Sequence, residues 1–167
     1  MKKSIISALV LLTAVSGICK AEKIVSATDM NIVGDGITMN TDAIISGSTD
    51  PYDYYALEAP KGMDSSSLGL ILADHAENIK ITGEGTIDGN GRELAQKVDS
   101  LHHIGERVDP AYDYGNKRPN ERMRPKLLFI SNCRNVLVDG LNMRSSAAWG
   151  LSFDTCENLT LTNQDIL

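Results

Sequence analysis

The 167-residue sequence has few cysteines, few aromatic residues and a shortage of positive charge. Three cysteines are too few for a disulfide framework, and the spacing of Cys133 and Cys156 does not match a zinc site. The formal net charge is −6, which argues against nucleic acid or an anionic membrane as a partner. The composition therefore points to an acidic protein for which no metal or cofactor is predicted.

The N-terminus has the features of a secretory signal peptide. Lys2 and Lys3 precede an uncharged, largely apolar run at 5–15, and Ala21 ends a segment suited to cleavage. The apolar run is too short to span a hydrocarbon core of about 30 Å. We therefore predict a signal peptide at 1–21 and a secreted or periplasmic protein with no membrane segment after cleavage. Cleavage removes three lysines and no acid, which brings the net charge from −6 to −9.

Three segments repeat one pattern, in which asparagine directly precedes an apolar–x–apolar triplet. They lie at 78–81, 135–138 and 158–161, and the last two are 23 residues apart. Short alternating strands at this period are typical of stacked coils that bury their apolar faces against neighbouring copies. The pattern predicts an all-β fold, a parallel β-helix (solenoid) with about three recognisable coils.

The repeat also predicts where its side chains point. The apolar positions should face inward; they are Ile79, Ile81, Val136, Val138, Leu159 and Leu161. Asn78, Asn135 and Asn158 should stack as a hydrogen-bonded ladder at a corner, although Asn158 also matches a glycosylation acceptor pattern. Cys133 and Cys156 occupy the same position of adjacent copies. Parallel side chains are poorly aimed for a disulfide, so we expect stacked free thiols.

Several segments resemble the polygalacturonases, glycoside hydrolase family 28. GDGIT at 34–38 and NTDAI at 40–44 resemble the opening motif of that family, and ITGEGTIDGNG at 81–91 resembles its internal glycine-rich signature. Arg124-Pro125, the segment 133–136 and the segment 145–149 follow in the family order. The resemblance implies a right-handed parallel β-helix and inverting hydrolysis of galacturonic-acid linkages in pectic polysaccharide, without a metal.

The family's catalytic motifs are missing from this sequence. The family uses Asn-x-Asp-Gly-x-Asp, Asp-Asp, Gly-His-Gly and Arg-Ile-Lys, and none of the four occurs here. Asp42 belongs to the opening motif, and Asp88 is expected to form a turn before Gly89. We predict no catalytic residue in the chain. The resemblance implies a truncated N-terminal portion of the β-helix, with a cap helix missing after Ile45, that is inactive alone.

A long polar loop at 92–124 interrupts the coils within the predicted domain 22–167. Its segment 93–101 favours a short helix. Uronic-acid carboxylates suit paired guanidinium N–H groups, so the predicted substrate-binding residues are Arg118, Arg122, Arg124 and Trp149. An ordinary solvated loop and a packed tryptophan are the alternatives for these residues. The paired His102 and His103 lack a third metal ligand.

Two other functions remain open at this stage. A non-catalytic β-helix module that binds polysaccharide would need no catalytic acids. A polysaccharide lyase of the same architecture would need clustered aspartates for calcium, and the sequence shows no such cluster.

Overall fold

The computed structural model describes residues 7–8, 37–57 and 67–167. The predicted signal peptide, apart from Ser7 and Ala8, lies outside the described residues, as does the first part of the opening motif. The strands of the described residues are β1 (Ser7–Ala8), β2 (Ile37–Met39), β3 (Ile44–Ser46), β4 (Tyr55–Ala56), β5 (Leu68–Asp74), β6 (Glu77–Gly83), β7 (Thr86–Asp88), β8 (Lys126–Ser131), β9 (Arg134–Asp139), β10 (Asn142–Arg144), β11 (Leu151–Asp154), β12 (Glu157–Thr162) and β13 (Asp165–Ile166). One α-helix, α1 (Gly91–His103), and two 3₁₀ helices, Pro51–Asp53 and Glu121–Met123, complete the described elements.

The strands form three sheets that the chain visits in a fixed order. Sheet C contains β2, β6, β9 and β12, and sheet B contains β3, β7, β10 and β13, all parallel. Sheet A contains the parallel strands β5, β8 and β11, with β1 and β4 antiparallel to β5. Each coil passes from sheet C to sheet B and then to sheet A, so the predicted parallel β-helix is confirmed.

The apolar triplets stack in register along sheet C, as the repeat predicts. Four of the six predicted inward residues are buried: Ile79, Ile81, Val136 and Val138. Leu159 and Leu161 pair with Val136 and Val138 and therefore face the same way, but they expose 38% and 41% of their surface. The predicted inward direction is confirmed, and the two side chains stay partly exposed because no strand of the described residues covers the far side of β12.

The asparagines form the predicted ladder at the corner between sheets A and C. The amide of Asn135 donates to the side-chain oxygen of Asn78 across 3.0 Å, and Asn158 donates to Asn135 across 2.9 Å. All three have positive φ, between 55° and 60°. Asparagine tolerates this left-handed conformation better than most residues. The same residue type therefore fits the positive φ of the corner and supplies the hydrogen bonds of the ladder.

Glycine is required at the next corner, between sheets C and B. Gly140 has φ +79°, and a Cβ atom there would lie 2.3 Å from the carbonyl oxygen of Gly83 in the adjacent coil. Only a residue without a side chain permits that approach. The corner therefore sets how closely these two coils can stack.

The two thiols of the described residues are free, as predicted. Cys133 is buried and Cys156 is partly buried, and each Sγ–H donates to a nearby backbone carbonyl, at Ser131 and Asp154 respectively. Burial raises the pKa of the Cys133 thiol. The two free thiols thus fill space in the stack of coils.

Sheet A departs from simple alternation. In β5, Leu70, Ile71, Leu72 and Ala73 are all buried, and every residue of β8 is buried. A strand covered on both faces reads as a continuous apolar run. Sheet A therefore lies deeper in the protein than sheet C, whose outer positions are exposed.

Within the described residues, the long insertions leave the coils at the corner between sheets B and A. Residues aligned between coils are 44, 57 and 23 apart for the successive coils, and the additional chain lies mainly in the segments that join these two sheets. We call residues 47–57, 89–125 and 145–150 the insertion corner. The coils can differ in length because all three sheets keep their register beside it.

Helix α1 opens the longest insertion. It contains the predicted segment 93–101 and is two residues longer at each end, and it buries Leu94, Val98 and Leu101. It begins at Gly91, where a Cβ atom would lie 2.4 Å from the backbone nitrogen of Ala147 in the following coil. No helix in the described part of the chain has the length and apolar character needed to cross a bilayer.

We expect Val136→Asp to unfold the chain. Val136 is 1% exposed, and burying an unpaired carboxylate costs several kcal/mol, a large share of the roughly 5–15 kcal/mol that stabilises a typical domain. The matched control is Leu137→Asp on the same strand, where the side chain is partly exposed and lies opposite Lys80. Circular dichroism with urea titration measures both. Equal destabilisation by the two variants would contradict the assignment of the inner face.

The Asn ladder gives a second expectation. Asn135→Ala should cost about 2 kcal/mol, because it removes two hydrogen bonds and places alanine at φ 58°. Asn135→Gly removes the same bonds but accepts positive φ, and should cost about half as much. The free energy of unfolding, measured by urea denaturation, separates the two contributions. If both variants lose the same free energy of unfolding, the positive φ of residue 135 does not add to the cost of Asn135→Ala.

Candidate functional site

The insertion corner brings together residues of successive coils around Glu121. Trp149 lies in the short corner segment 145–150, and its indole Nε1–H donates to Oε2 of Glu121 across 2.6 Å. Glu121 begins a 3₁₀ helix in the long insertion of the preceding coil. Trp149 is 61% exposed. Its ring is therefore held by one edge and is open to solvent.

Arg124 joins the same two coils. Its Nη1 donates to the carbonyl oxygen of Ala147, two residues before Trp149. Burial lowers the pKa of the Arg124 guanidinium, and the nearby Glu121 carboxylate opposes that shift. Part of this predicted substrate-binding side chain is thus committed to the structure of the corner.

The other two predicted arginines are exposed on the same loop. The backbone of Arg118 pairs with Asp113 in an isolated bridge, and the charge of Arg118 lowers the pKa of Arg124, although less than burial does. Arg122 follows Glu121 in the 3₁₀ helix. The structure therefore places Arg118 and Arg124 within electrostatic range of each other, while Arg122 shares its helix with Glu121.

The histidine pair serves the packing of the loop. The ring of His102 stacks on Tyr112 with centroids 4.2 Å apart, and its Nε2 lies 3.2 Å from the hydroxyl of Tyr114. Nε2 of His103 lies 3.2 Å from the Tyr112 hydroxyl, which donates to Asp99. That bond to Asp99 is the main reason that the pKa of Tyr112 rises to about 12. Within residues 37–57 and 67–167, no group of three His, Cys, Asp or Glu is placed to hold a metal ion.

A polar row lies beside the insertion corner, at the carboxyl ends of the strands of sheet B. Ser46, Asp88 and Arg144 are the last residues of β3, β7 and β10 and pair in register. Oδ1 of Asp88 accepts the backbone N–H of Asn90 across 3.0 Å, which confirms its predicted role in a turn. Its Oδ2 lies 2.8 Å from Nε of Arg144. The row continues the polar surface from the corner onto the sheet.

The environment keeps Asp88 ionised. Burial alone would raise the pKa of this carboxyl, but the Asn90 amide and the Arg144 guanidinium outweigh burial and hold it below its usual range. Four described carboxyl groups have a clearly shifted pKa, and all four are shifted down: Asp74, Asp88, Asp113 and Asp139. A general acid in glycoside hydrolysis needs a raised pKa, so none of these four is suited to that role.

Two residues of this surface were not predicted from the sequence as site residues. Glu121 contacts Trp149 across 28 positions of sequence, and Arg144 contacts Asp88 across 56. The alternation in β10 indicates that Arg144 faces outward, since Met143 is buried. No local pattern gives the register that places either residue beside its partner.

Comparison with known proteins agrees with the architecture. The family model for glycosyl hydrolases family 28 matches residues 56–167. A search of curated proteins finds no match.

Three solved structures share the fold at low sequence identity. A candidate glycosyl hydrolase from Parabacteroides merdae ATCC 43184 is 21% identical with a TM-score of 0.62, and the match covers 78% of this chain and 50% of that one. A family 28 exopolygalacturonase from Yersinia enterocolitica is 22% identical with a TM-score of 0.53, over 77% of this chain and 29% of that one. A hyperthermoactive exopolygalacturonase from Thermotoga maritima is 22% identical with a TM-score of 0.50, over 78% and 34%.

The solved structures establish the hand of the fold, and the family model establishes the family. The β-helix is right-handed, as in the polygalacturonases. The chain spans half or less of the length of the solved structures that it matches. Because the family model covers most of the sequence, from β4 to the last coil, the chain belongs to glycosyl hydrolases family 28.

Proposed function

We propose that the chain is part of an exported polygalacturonase-like hydrolase that acts on pectic polysaccharide. Membership of family 28 supports a glycoside hydrolase, and the similarity to exopolygalacturonases supports pectic substrates. Export rests on the sequence of residues 1–21, which has the charge and apolar pattern of a secretory signal. Pectic polymers are extracellular, so an enzyme that acts on them must be exported, as the signal sequence predicts.

The observation that carries the proposal is that the insertion corner contains an exposed tryptophan, Trp149, and also the exposed Arg118 and Arg122. An aromatic ring held by its edge, as Glu121 holds Trp149, offers a rigid apolar face for a sugar ring at little entropic cost. Exposed Arg118 and Arg122 lie on the same loop, and guanidinium groups pair with carboxylates through two parallel hydrogen bonds. Every residue of a uronic-acid polymer has a sugar ring that can stack on tryptophan and a carboxylate that can pair with arginine.

We assign binding rather than proton transfer to this part of the enzyme. Inverting hydrolysis needs an acid and a base whose carboxyl groups lie roughly 6.5–9.5 Å apart, and the acid must be protonated at the working pH. The described carboxyl groups with shifted pKa values are more acidic than usual. The family's Asp-Asp and Gly-His-Gly motifs do not occur in the sequence, so we do not assign the catalytic pair to residues of this chain.

The second candidate is a non-catalytic module that binds pectic polysaccharide. The absence of the family's catalytic motifs from the sequence favours it, because a binding module needs no catalytic acid. The two candidates differ in one respect: the hydrolase portion gains activity when it is joined to a segment that carries the family's catalytic motifs, and the binding module does not.

We expect the purified chain to release no reducing sugar from polygalacturonate above a buffer blank. The reason is the absence of the family's Asp-Asp and Gly-His-Gly motifs from the sequence. A reducing-end assay between pH 4 and 7 tests this, with a family 28 exopolygalacturonase as the positive control. Turnover would show that the chain carries its own acids, and Asp42, Asp88 and Glu121 would then be the first candidates for substitution.

Trp149 offers a direct test of substrate contact, because it is the only tryptophan in the sequence. We expect galacturonic-acid oligomers to shift its fluorescence emission to shorter wavelength and to protect it from acrylamide quenching, since a stacked sugar removes water from the ring. A neutral glucose oligomer of the same length is the control. Unchanged quenching at oligomer concentrations that saturate binding would exclude Trp149 from the binding surface.

A further inference from the structure

Two exposed arginines on the coils differ in how fully their charge is neutralised. Arg134 on sheet C lies between two carboxylates, with Nε 2.9 Å from Glu157 and Nη1 3.2 Å from Glu77. Arg144 on sheet B pairs with Asp88 alone, through Nε at 2.8 Å. The two arginine side chains are equally accessible, at 53% and 51%. Only Arg144 therefore has one edge of its guanidinium facing solvent without a carboxylate from the described chain.

Asp88 fixes the direction in which that edge points. Its side chain is 16% exposed, and both of its oxygens are occupied, one by the backbone of Asn90 and one by Arg144. A guanidinium has five N–H donors in a planar fork, and the contact with Asp88 uses only the donor at Nε. The outer N–H groups of Arg144 remain available to a ligand.

The surroundings favour a sugar acid over a simple anion. Ser46 lies in the same row as Asp88 and Arg144, and Ile44, Thr86 and Asn142 form the neighbouring outward row. Ser46 Oγ accepts from Asn90, and the Asn142 amide donates to the carbonyl oxygen of Glu84. The remaining capacity of these uncharged groups and the Thr86 hydroxyl match the hydroxyl groups of a sugar ring. Asp165, which pairs with Asn142, lies in the row farther from the insertion corner and would repel a carboxylate there. Anion binding on this face is thus restricted to the end that carries Arg144.

We infer that Arg144, oriented by Asp88, binds the carboxylate of a uronic-acid residue of the polymer on the outer face of sheet B. This inference rests on the proposed function and adds a binding residue to it. The fork of Arg144 pairs with the two carboxylate oxygens, and Asp88 acts as the positioning residue. Arg144 ends β10 directly before the corner segment that holds Trp149, so one polymer can reach both residues.

The test combines variants of the chain with changes to the ligand. The probes are an unesterified galacturonic-acid oligomer and its methyl ester, which keeps the sugar and removes the charge. Isothermal calorimetry at low salt measures the Kd of the full chain for each. The variants are Arg144→Gln, Arg144→Lys and the matched control Arg134→Gln, and circular dichroism checks that each one folds.

We expect Arg144→Gln to raise the Kd for the unesterified oligomer about tenfold, as loss of a charge-assisted pair predicts. Arg144→Lys should raise it about threefold, because it keeps the charge and loses the fork. Arg134→Gln should leave the Kd within about twofold, since that arginine is already neutralised. For the methyl ester, all four proteins should bind equally.

Two results would overturn the inference in distinguishable ways. If the parent chain binds the unesterified oligomer and Arg144→Gln and Arg144→Lys bind it equally well, the role of Arg144 is wrong and the proposed function stands. If the parent chain does not discriminate between the oligomer and its ester, the inference fails together with the proposed substrate class.

Discussion

Backbone hydrogen bonding between successive coils is the interaction on which the whole structure depends, because a strand of two to seven residues has little stability by itself. Each strand finds its partners in the coils before and after it, so all three sheets must keep register at once. The left-handed asparagines at one corner and the close glycines at another hold that register. A shift by one residue would turn every buried side chain of a strand outward.

Stacking in register also decides which polar residues can repeat. Identical neutral side chains form favourable columns, as in the asparagine ladder and in the contact of Thr38 with Thr82. Charged residues must alternate in sign, because like charges directly opposite each other repel. Arg134 follows this rule between two glutamates, so both sides of its guanidinium are paired. In the row of Asp88 and Arg144 the arginine has one carboxylate partner, so part of its guanidinium still faces solvent.

The sequence predicts the features that repeat and misses those that occur once. The asparagine triplets gave the coils of sheet C, the ladder and the free thiols, because each pattern recurs at the spacing of a coil. Sheet A was harder to interpret, since burial on both faces of β8 erases the alternation. The contacts of Trp149 with Glu121 and of Arg144 with Asp88 depend on how an aperiodic insertion folds back, and no periodicity encodes that path. The loop arginines remain a prediction as substrate-binding residues, and only the structure shows that Arg124 bonds the backbone of the following coil.

The insertion corner gives this architecture freedom to diversify. Closing a longer loop costs only about 0.6 kcal/mol for each doubling of its length, and the coils of 23, 44 and 57 residues stack with the same register. New sequence can therefore enter at this corner without disturbing the hydrogen bonds of the sheets. Selection can alter the surface beside sheet B, while the scaffold continues to fold as before.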